Sequence, residues 1–171
     1  VVLVFAALLP GALASALELL LALLLLGRLA FWYPLKAFTR LDIGIMFLGY
    51  LAIAGQLLID ALPPPGSTGW VGTVSVHVFT FGAMGLVIPA MITRIANGHT
   101  GRKVVFGRLE KAVLWIMIAA LLIRVGGPQI APGAYLRWLD LAAACWLAGF
   151  GLLAWRILPL VMRPRVDGRE H

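Results

Sequence analysis

The strongest constraint on this chain is a series of five apolar stretches that carry few charges. They lie at about residues 1–26, 42–62, 71–95, 112–125 and 139–161. Crossing the hydrocarbon core of a bilayer as a helix takes roughly 20 apolar residues. The sequence therefore predicts an all-α fold, a polytopic transmembrane helical bundle of about five spans that forms a single domain.

Composition excludes the other main classes of protein. Of the 171 residues, 62% are apolar and 12% are charged, against about 45–50% and about 25% in soluble domains. Too few polar side chains remain to cover a soluble globule, and disorder, a collagen-like fold and a coiled coil are excluded as well. The single cysteine, Cys145, excludes an internal disulfide and every multi-cysteine metal motif. The sequence offers no catalytic constellation.

The basic residues indicate how the bundle is oriented. The net charge is +7, and all Lys and Arg residues except Arg124 and Arg137 lie in or beside the segments 27–41, 94–111 and the C-terminal tail. Basic residues concentrate in cytoplasmic loops, so five spans place the N-terminus outside and the C-terminus in the cytoplasm. The charge then reflects topology and contact with the lipid bilayer, and we expect no nucleic acid partner. Arg124, at the far end of its stretch, can snorkel to water.

Two polar side chains lie inside the first two apolar stretches. Glu18 falls near the middle of the first stretch, and Gln56 lies in the second. Polar groups in hydrocarbon are costly and therefore need a partner or a function. Glu18 and Gln56 form a candidate intramembrane polar site, with a proton relay and a helix–helix hydrogen bond as the two interpretations.

A histidine near the start of the third stretch is the most informative polar residue. Helical spacing places Phe81 and Met84 on the same face as His77. An imidazole beside aromatic and thioether groups suits a haem or copper ligand. The alternative is an interfacial histidine that is hydrogen-bonded to a neighbouring helix. Gly82 and Gly85 on this helix permit close approach of a second helix or of a flat cofactor.

A second histidine lies in the polar segment 97–103. His99 follows His77 by 22 residues, which is ~33 Å along a continuous helix. The two histidines therefore cannot bind the same metal. The glycine-flanked segment, with Arg102 as counter-charge, is suited to an anion such as a haem propionate or a lipid phosphate. The alternative is a basic anchor on acidic lipid.

The run from His77 to Arg102 resembles the NnrS family of bacterial inner-membrane proteins, which are linked to nitric oxide metabolism and reported to contain haem and copper. The matching elements are His77, Gly82, Gly85, Met91, Thr93, Arg94 and the loop Gly98-His99-Thr100-Gly101-Arg102. Family members are about twice as long, and this chain begins with Val1 rather than Met. We therefore expect it to be the C-terminal part of a longer protein, with the N-terminal half as its partner.

The resemblance implies specific cofactors and partners. It implies haem b and copper, with His77 as the metal ligand and with Met84, His99 and Arg102 as further cofactor-binding residues. It also implies the bacterial inner membrane, nitric oxide as a partner, and a role in nitric oxide metabolism or the nitrosative-stress response. Two alternatives remain open: a membrane transporter, and a passive membrane subunit without a cofactor.

Overall fold

The computed structural model describes residues 10–62, 69–166 and 168. Five of its helices are long and apolar enough to cross a membrane. They are α1 (Gly11–Ala30), α2 (Leu41–Ala61), α3 (Val74–His99), α4 (Arg108–Ile130) and α5 (Tyr135–Val161). Short helical segments, Pro34–Ala37 and Pro132–Ala134, lead into α2 and α5. The predicted all-α bundle of five spans is confirmed, and the described residues contain no strand.

Most predicted spans agree with the observed helices. The stretches 42–62, 71–95 and 139–161 match α2, α3 and α5 to within a few residues. Of the first predicted span, 1–26, residues 1–9 lie outside the described residues. Its remainder belongs to α1, which continues to Ala30.

The fourth observed helix extends beyond the predicted span at both ends. The sequence predicts it at 112–125 and a loop at 126–128, because glycine and proline usually end helices. The observed α4 covers 23 residues, Arg108–Ile130. Tertiary contacts hold its last turn: the side-chain oxygen of Gln129 accepts from the backbone N–H of Val71 at 3.1 Å, and its amide donates to the carbonyl of Val71 at 3.0 Å. These hydrogen bonds offset the low helix propensity of glycine and proline.

The first half of α3 departs from a regular α-helix. Val74–His77 is α-helical, Val78–Met84 is a π-helix, and Gly85–His99 is α-helical again, with Pro89 inside it. A π-helix takes more residues per turn than an α-helix, so it rotates the following side chains away from the 3.6-residue period. The π-helix begins directly after His77, and such turns are frequent at functional sites.

The bundle core lies between α2, α3, α4 and α5. Ile45 of α2, Leu86 of α3, Met117 of α4 and Leu153 of α5 are almost completely buried and belong to one cluster. By contrast, α1 packs mainly against α2. In a bilayer, helices associate largely through van der Waals contact and hydrogen bonds, because lipid tails are as apolar as the helix surfaces. Close packing between these four helices therefore fixes the positions of the polar side chains on α3 and α4.

The small residues of α3 are in contact with other helices. A Cβ added at Gly82 would lie 2.5 Å from the Cβ of Ala52 on α2. A Cβ added at Gly85 would lie 3.3 Å from the Trp146 ring and 3.4 Å from Met117. This face therefore packs against neighbouring helices, which leaves no room there for a flat cofactor.

A buried ion pair joins α4 to α5. Glu110 is 5% exposed, and its Oε1 accepts a 2.9 Å hydrogen bond from Nε of Arg156. We expect Arg156→Ala to lower the free energy of unfolding by about 1–2 kcal/mol, because it leaves a buried carboxylate without its cation, although Arg156 itself is half exposed. Denaturant unfolding in detergent measures this loss. The control is Arg108→Ala, which removes an exposed cation of α4; an equal loss in both variants would contradict the prediction.

Candidate functional site

His77 lies where the start of α3 meets the ends of α4 and α5. We call this region, residues 69–77 with 124–138, the His77 end. The Nε2 atom of His77 is 2.5 Å from Nη2 of Arg124 and 3.2 Å from Oγ1 of Thr73. The ring of Phe81 stands edge-on to the imidazole, with 6.0 Å between the ring centroids. The shared face of His77 and Phe81 is thus confirmed, and His77 accepts a hydrogen bond from the neighbouring helix α4.

The contact with Arg124 determines which nitrogen of His77 carries the proton. A guanidinium has only donors, so Nε2 of His77 accepts and the proton of the neutral ring lies on Nδ1. Nδ1 is buried and has no hydrogen-bond partner among the described residues. Metal-binding histidines commonly use one nitrogen as the ligand while the other carries the proton. His77 therefore has the tautomer that coordination through Nε2 requires, while the Arg124 guanidinium occupies the lone pair of that nitrogen.

Arg124 is the residue of this region that sequence reasoning missed. Only 6% of it is exposed. Its Nη2 also donates to Tyr135 Oη at 3.1 Å, and its guanidinium lies 5.4 Å from the centre of the Tyr135 ring. The ion pairs of the described residues do not include it. The predicted snorkelling is wrong because Tyr135 of α5 covers the guanidinium. The sequence feature that could have identified Arg124 is its position as a lone charge within an apolar stretch, because such a charge indicates a functional role by default.

Further contacts hold the His77 end in shape. Gly72 has a φ of 75°, and a Cβ there would lie 3.2 Å from the Tyr135 hydroxyl. Glycine therefore allows the chain before α3 to pass close to Tyr135 in a left-handed conformation. At the start of α5, the indole of Trp138 donates to the carbonyl of Ala131 at 3.1 Å. Together with the Gln129 hydrogen bonds, these contacts position the residues around His77.

Among the described residues, the His77 end offers one candidate side chain to bind a metal, the imidazole of His77. Among them, no group of three or more His, Cys, Asp or Glu side chains lies close enough to hold a metal ion. Met84, predicted on the face of His77, is 43% exposed, whereas its neighbours Ala83 and Gly85 are buried. The π-helix between His77 and Met84 explains this outward position, because it breaks the helical spacing on which the prediction depended. A haem or copper at His77 would need its other ligands from elsewhere in the protein.

Glu18 and Gln56, the residues of the other predicted polar site, do not pair with each other; each lies near Asp60. The side-chain amide of Gln56 donates to Asp60 Oδ2, one turn further along α2, at 3.5 Å. The described contacts contain no hydrogen bond between Gln56 and Glu18. Glu18 of α1 lies within electrostatic reach of Asp60 instead. A helix–helix hydrogen bond between Glu18 and Gln56, one of the two interpretations of this site, is therefore not seen among the described contacts.

The segment with the second histidine is the C-terminal cap of α3. The N–H of Gly101 donates to the carbonyl of Gly98 at 3.1 Å, and the N–H of Arg102 donates to that of Asn97 at 2.9 Å. Gly101 has a φ of 72°. This pair of bonds across a left-handed glycine is a Schellman motif. It explains the tight turn, and it places His99 at the opposite end of the 26-residue helix from His77, as predicted.

The predicted cofactor-binding residues do not converge on one site. His77 lies at one end of α3, Met84 faces outward, and His99 and Arg102 lie at the other end. One nitrogen of Arg102, Nη1, is buried without a hydrogen-bond partner among the described residues. Within this chain the structure supports a site around His77 and Arg124 at one end and a separate basic region at the other.

Comparison with known proteins identifies the family. The family model described as NnrS protein matches residues 1–165, nearly the whole chain. No curated protein and no solved structure matches the chain. The match extends well beyond the run from His77 to Arg102 that carries the resemblance. The chain belongs to the NnrS family.

Proposed function

We propose that this chain is part of an integral membrane haem or copper protein of the bacterial inner membrane that acts in nitric oxide metabolism or the nitrosative-stress response. His77 supplies one ligand to the metal. The observation that carries the proposal is the state of His77: a neutral imidazole within a membrane helix whose Nε2 lone pair is directed at a cation. Membership of the NnrS family supports the assignment.

Each residue of the His77 end has a role in this proposal. When bound, a haem iron or a copper ion would supply a centre for nitric oxide. His77 would hold the metal through Nε2, and Arg124 would then have to release that nitrogen. The guanidinium remains beside the site as a buried positive charge, which suits pairing with an anionic group. Tyr135 holds it there through the 3.1 Å hydrogen bond. The remaining metal ligands would have to come from outside the described residues of this chain.

The test uses the full-length protein expressed with haem supplied. We expect the purified wild type to show a Soret band and metal content, and His77→Ala to lose or shift the band. The matched control is His99→Ala, which removes an exposed imidazole at the opposite end of α3 and should leave the spectrum unchanged. A colourless full-length protein without haem or copper would rule out the proposal. Equal spectral changes in the two variants would rule out His77 as the specific ligand.

A further inference from the structure

A basic cleft lies at the end of α3 opposite His77. Arg94 and Gly98 lie one turn apart on α3, and the C-terminal tail folds back beside them. Nη1 of Arg165 donates to the carbonyl of His99 at 3.0 Å, and the N–H of Val166 donates to that of Thr100 at 3.2 Å. The result is a cleft of about 450 Å³ lined by Arg94, Ile95, Gly98, His99 and Arg165. The tail contacts could not be inferred from the sequence, because they join residues 66 positions apart.

The lining of this cleft is positively charged. It contains two guanidiniums and one imidazole, and no carboxylate among the described residues lines it. Nη2 of Arg94 donates to the backbone carbonyl of Asp42 at 2.9 Å, while the carboxylate of Asp42 is 3.8 Å away. The contact with the Asp42 carboxylate is an ion pair that offsets part of the charge of Arg94. Nε of Arg94 is buried without a hydrogen-bond partner among the residues that the structure describes, so Arg94 retains donor capacity for an anion.

Gly98 keeps the cleft open. A Cβ added there would meet no atom of the described residues within 4 Å. The carbonyls at the end of α3 would normally repel an anion. Here the carbonyls of Asn97, Gly98 and His99 accept hydrogen bonds from the cap and the tail. These hydrogen-bonded carbonyls therefore oppose an anion in the cleft less than free carbonyls would.

The depth of the cleft indicates what kind of anion it holds. A helix of 26 residues is ~39 Å long, whereas the hydrocarbon core is ~30 Å thick. The last turn of α3 therefore reaches the level of the lipid phosphates. Ile95 lines the cleft, and Met91 and Ile88 continue its exposed apolar face toward the middle of the helix. A basic site that continues into an apolar track fits an amphipathic anion better than a free ion.

We propose that this cleft binds the phosphate group of an anionic phospholipid, independently of the function proposed for His77. Arg94 and Arg165 contact the phosphate oxygens, His99 lies at the rim, and an acyl chain follows Ile95, Met91 and Ile88. The site shares Gly98 and His99 with the anion site that the sequence suggests, but its arginines are Arg94 and, from the tail, Arg165 instead of Arg102.

The test is a ligand titration of the full-length protein in neutral detergent, followed by thermal unfolding. Short-chain phosphatidylglycerol is the probe, and phosphatidylcholine and inorganic phosphate are the comparison ligands. Because a ligand that binds only the folded protein raises the unfolding temperature, the dependence on concentration gives an apparent Kd. We expect binding of phosphatidylglycerol to weaken at least about tenfold in Arg94→Gln and in Arg165→Gln, which lose charge-assisted hydrogen bonds.

Two further variants separate a specific site from general charge. Gly98→Leu fills the cleft while leaving every charge in place, and we expect it to weaken binding of phosphatidylglycerol by the same tenfold. This variant keeps the test decisive if Arg94→Gln fails to fold. Lys103→Gln removes an exposed cation at the same end of the bundle and should change the Kd less than about twofold. Equal losses in Lys103→Gln and Arg94→Gln would overturn the proposal. Binding of inorganic phosphate as tight as that of phosphatidylglycerol would overturn the lipid assignment.

Discussion

Replacing Arg124 with leucine is expected to make His77 about ten- to a hundredfold more reactive toward diethyl pyrocarbonate, which acylates unprotonated imidazole nitrogens. In the wild type, Nε2 accepts a hydrogen bond from the Arg124 guanidinium, while Nδ1 is buried. A hydrogen bond from a charged donor is worth about 1.5–3 kcal/mol. Loss of this bond would therefore make the Nε2 lone pair about ten- to a hundredfold more available for reaction. The same availability limits coordination of a metal, so the measurement bears directly on the proposed role of His77.

The reaction is followed by mass spectrometry of the peptide that contains His77. Modification of His99, at the far end of α3, provides an internal reference in each sample. Arg137→Leu is the matched control, because it removes an exposed arginine of the His77 end and should leave the rate at His77 unchanged. An unchanged rate in Arg124→Leu would mean that the guanidinium does not occupy Nε2 in the protein.

The fold was predictable because its causes are local. Span length and the placement of basic residues follow from the cost of putting polar groups in hydrocarbon, and both can be recognised in the sequence alone. The end of α4 was not predictable, because Gln129 stabilises it through Val71, a residue far away in the chain. Glycine and proline in 126–128 give the opposite local signal.

The candidate site was predictable only in part, for similar reasons. His77 stands out as an imidazole in an apolar stretch. The sequence predicted that the Arg124 side chain reaches water. It could not show that Tyr135, which belongs to the next helix, covers the guanidinium. Met84 is separated from His77 by a π-helix, which cannot be inferred from apolar spacing, and the segment around His99 forms a helix cap. The sequence identifies the imidazole of His77 as a candidate group. It does not reveal the contacts of that imidazole, because long-range packing and helix geometry determine them.

The second large effect is expected at the contact between α2 and α3. Gly82→Ala would bring two Cβ atoms, its own and that of Ala52, to 2.5 Å, well inside van der Waals contact. We expect a loss of about 2–3 kcal/mol in the free energy of unfolding, because overpacking forces backbone shifts at a site where both partners are rigid. Denaturant unfolding in detergent, monitored by circular dichroism, measures the loss.

Two variants show whether the effect arises from this contact. Ala52→Gly removes the opposing Cβ, so the double variant Gly82→Ala with Ala52→Gly should recover most of the lost stability, a coupling that is expected only for residues in direct contact. Gly151→Ala adds the same methyl group to α5 at a position with no atom within 4 Å, and it should be neutral or slightly stabilising, since alanine favours helix. If Ala52→Gly gives no recovery, the close approach of α2 and α3 at Gly82 is not what limits stability. If it does, this pair of small residues limits how closely α2 can approach the π-helix that follows His77.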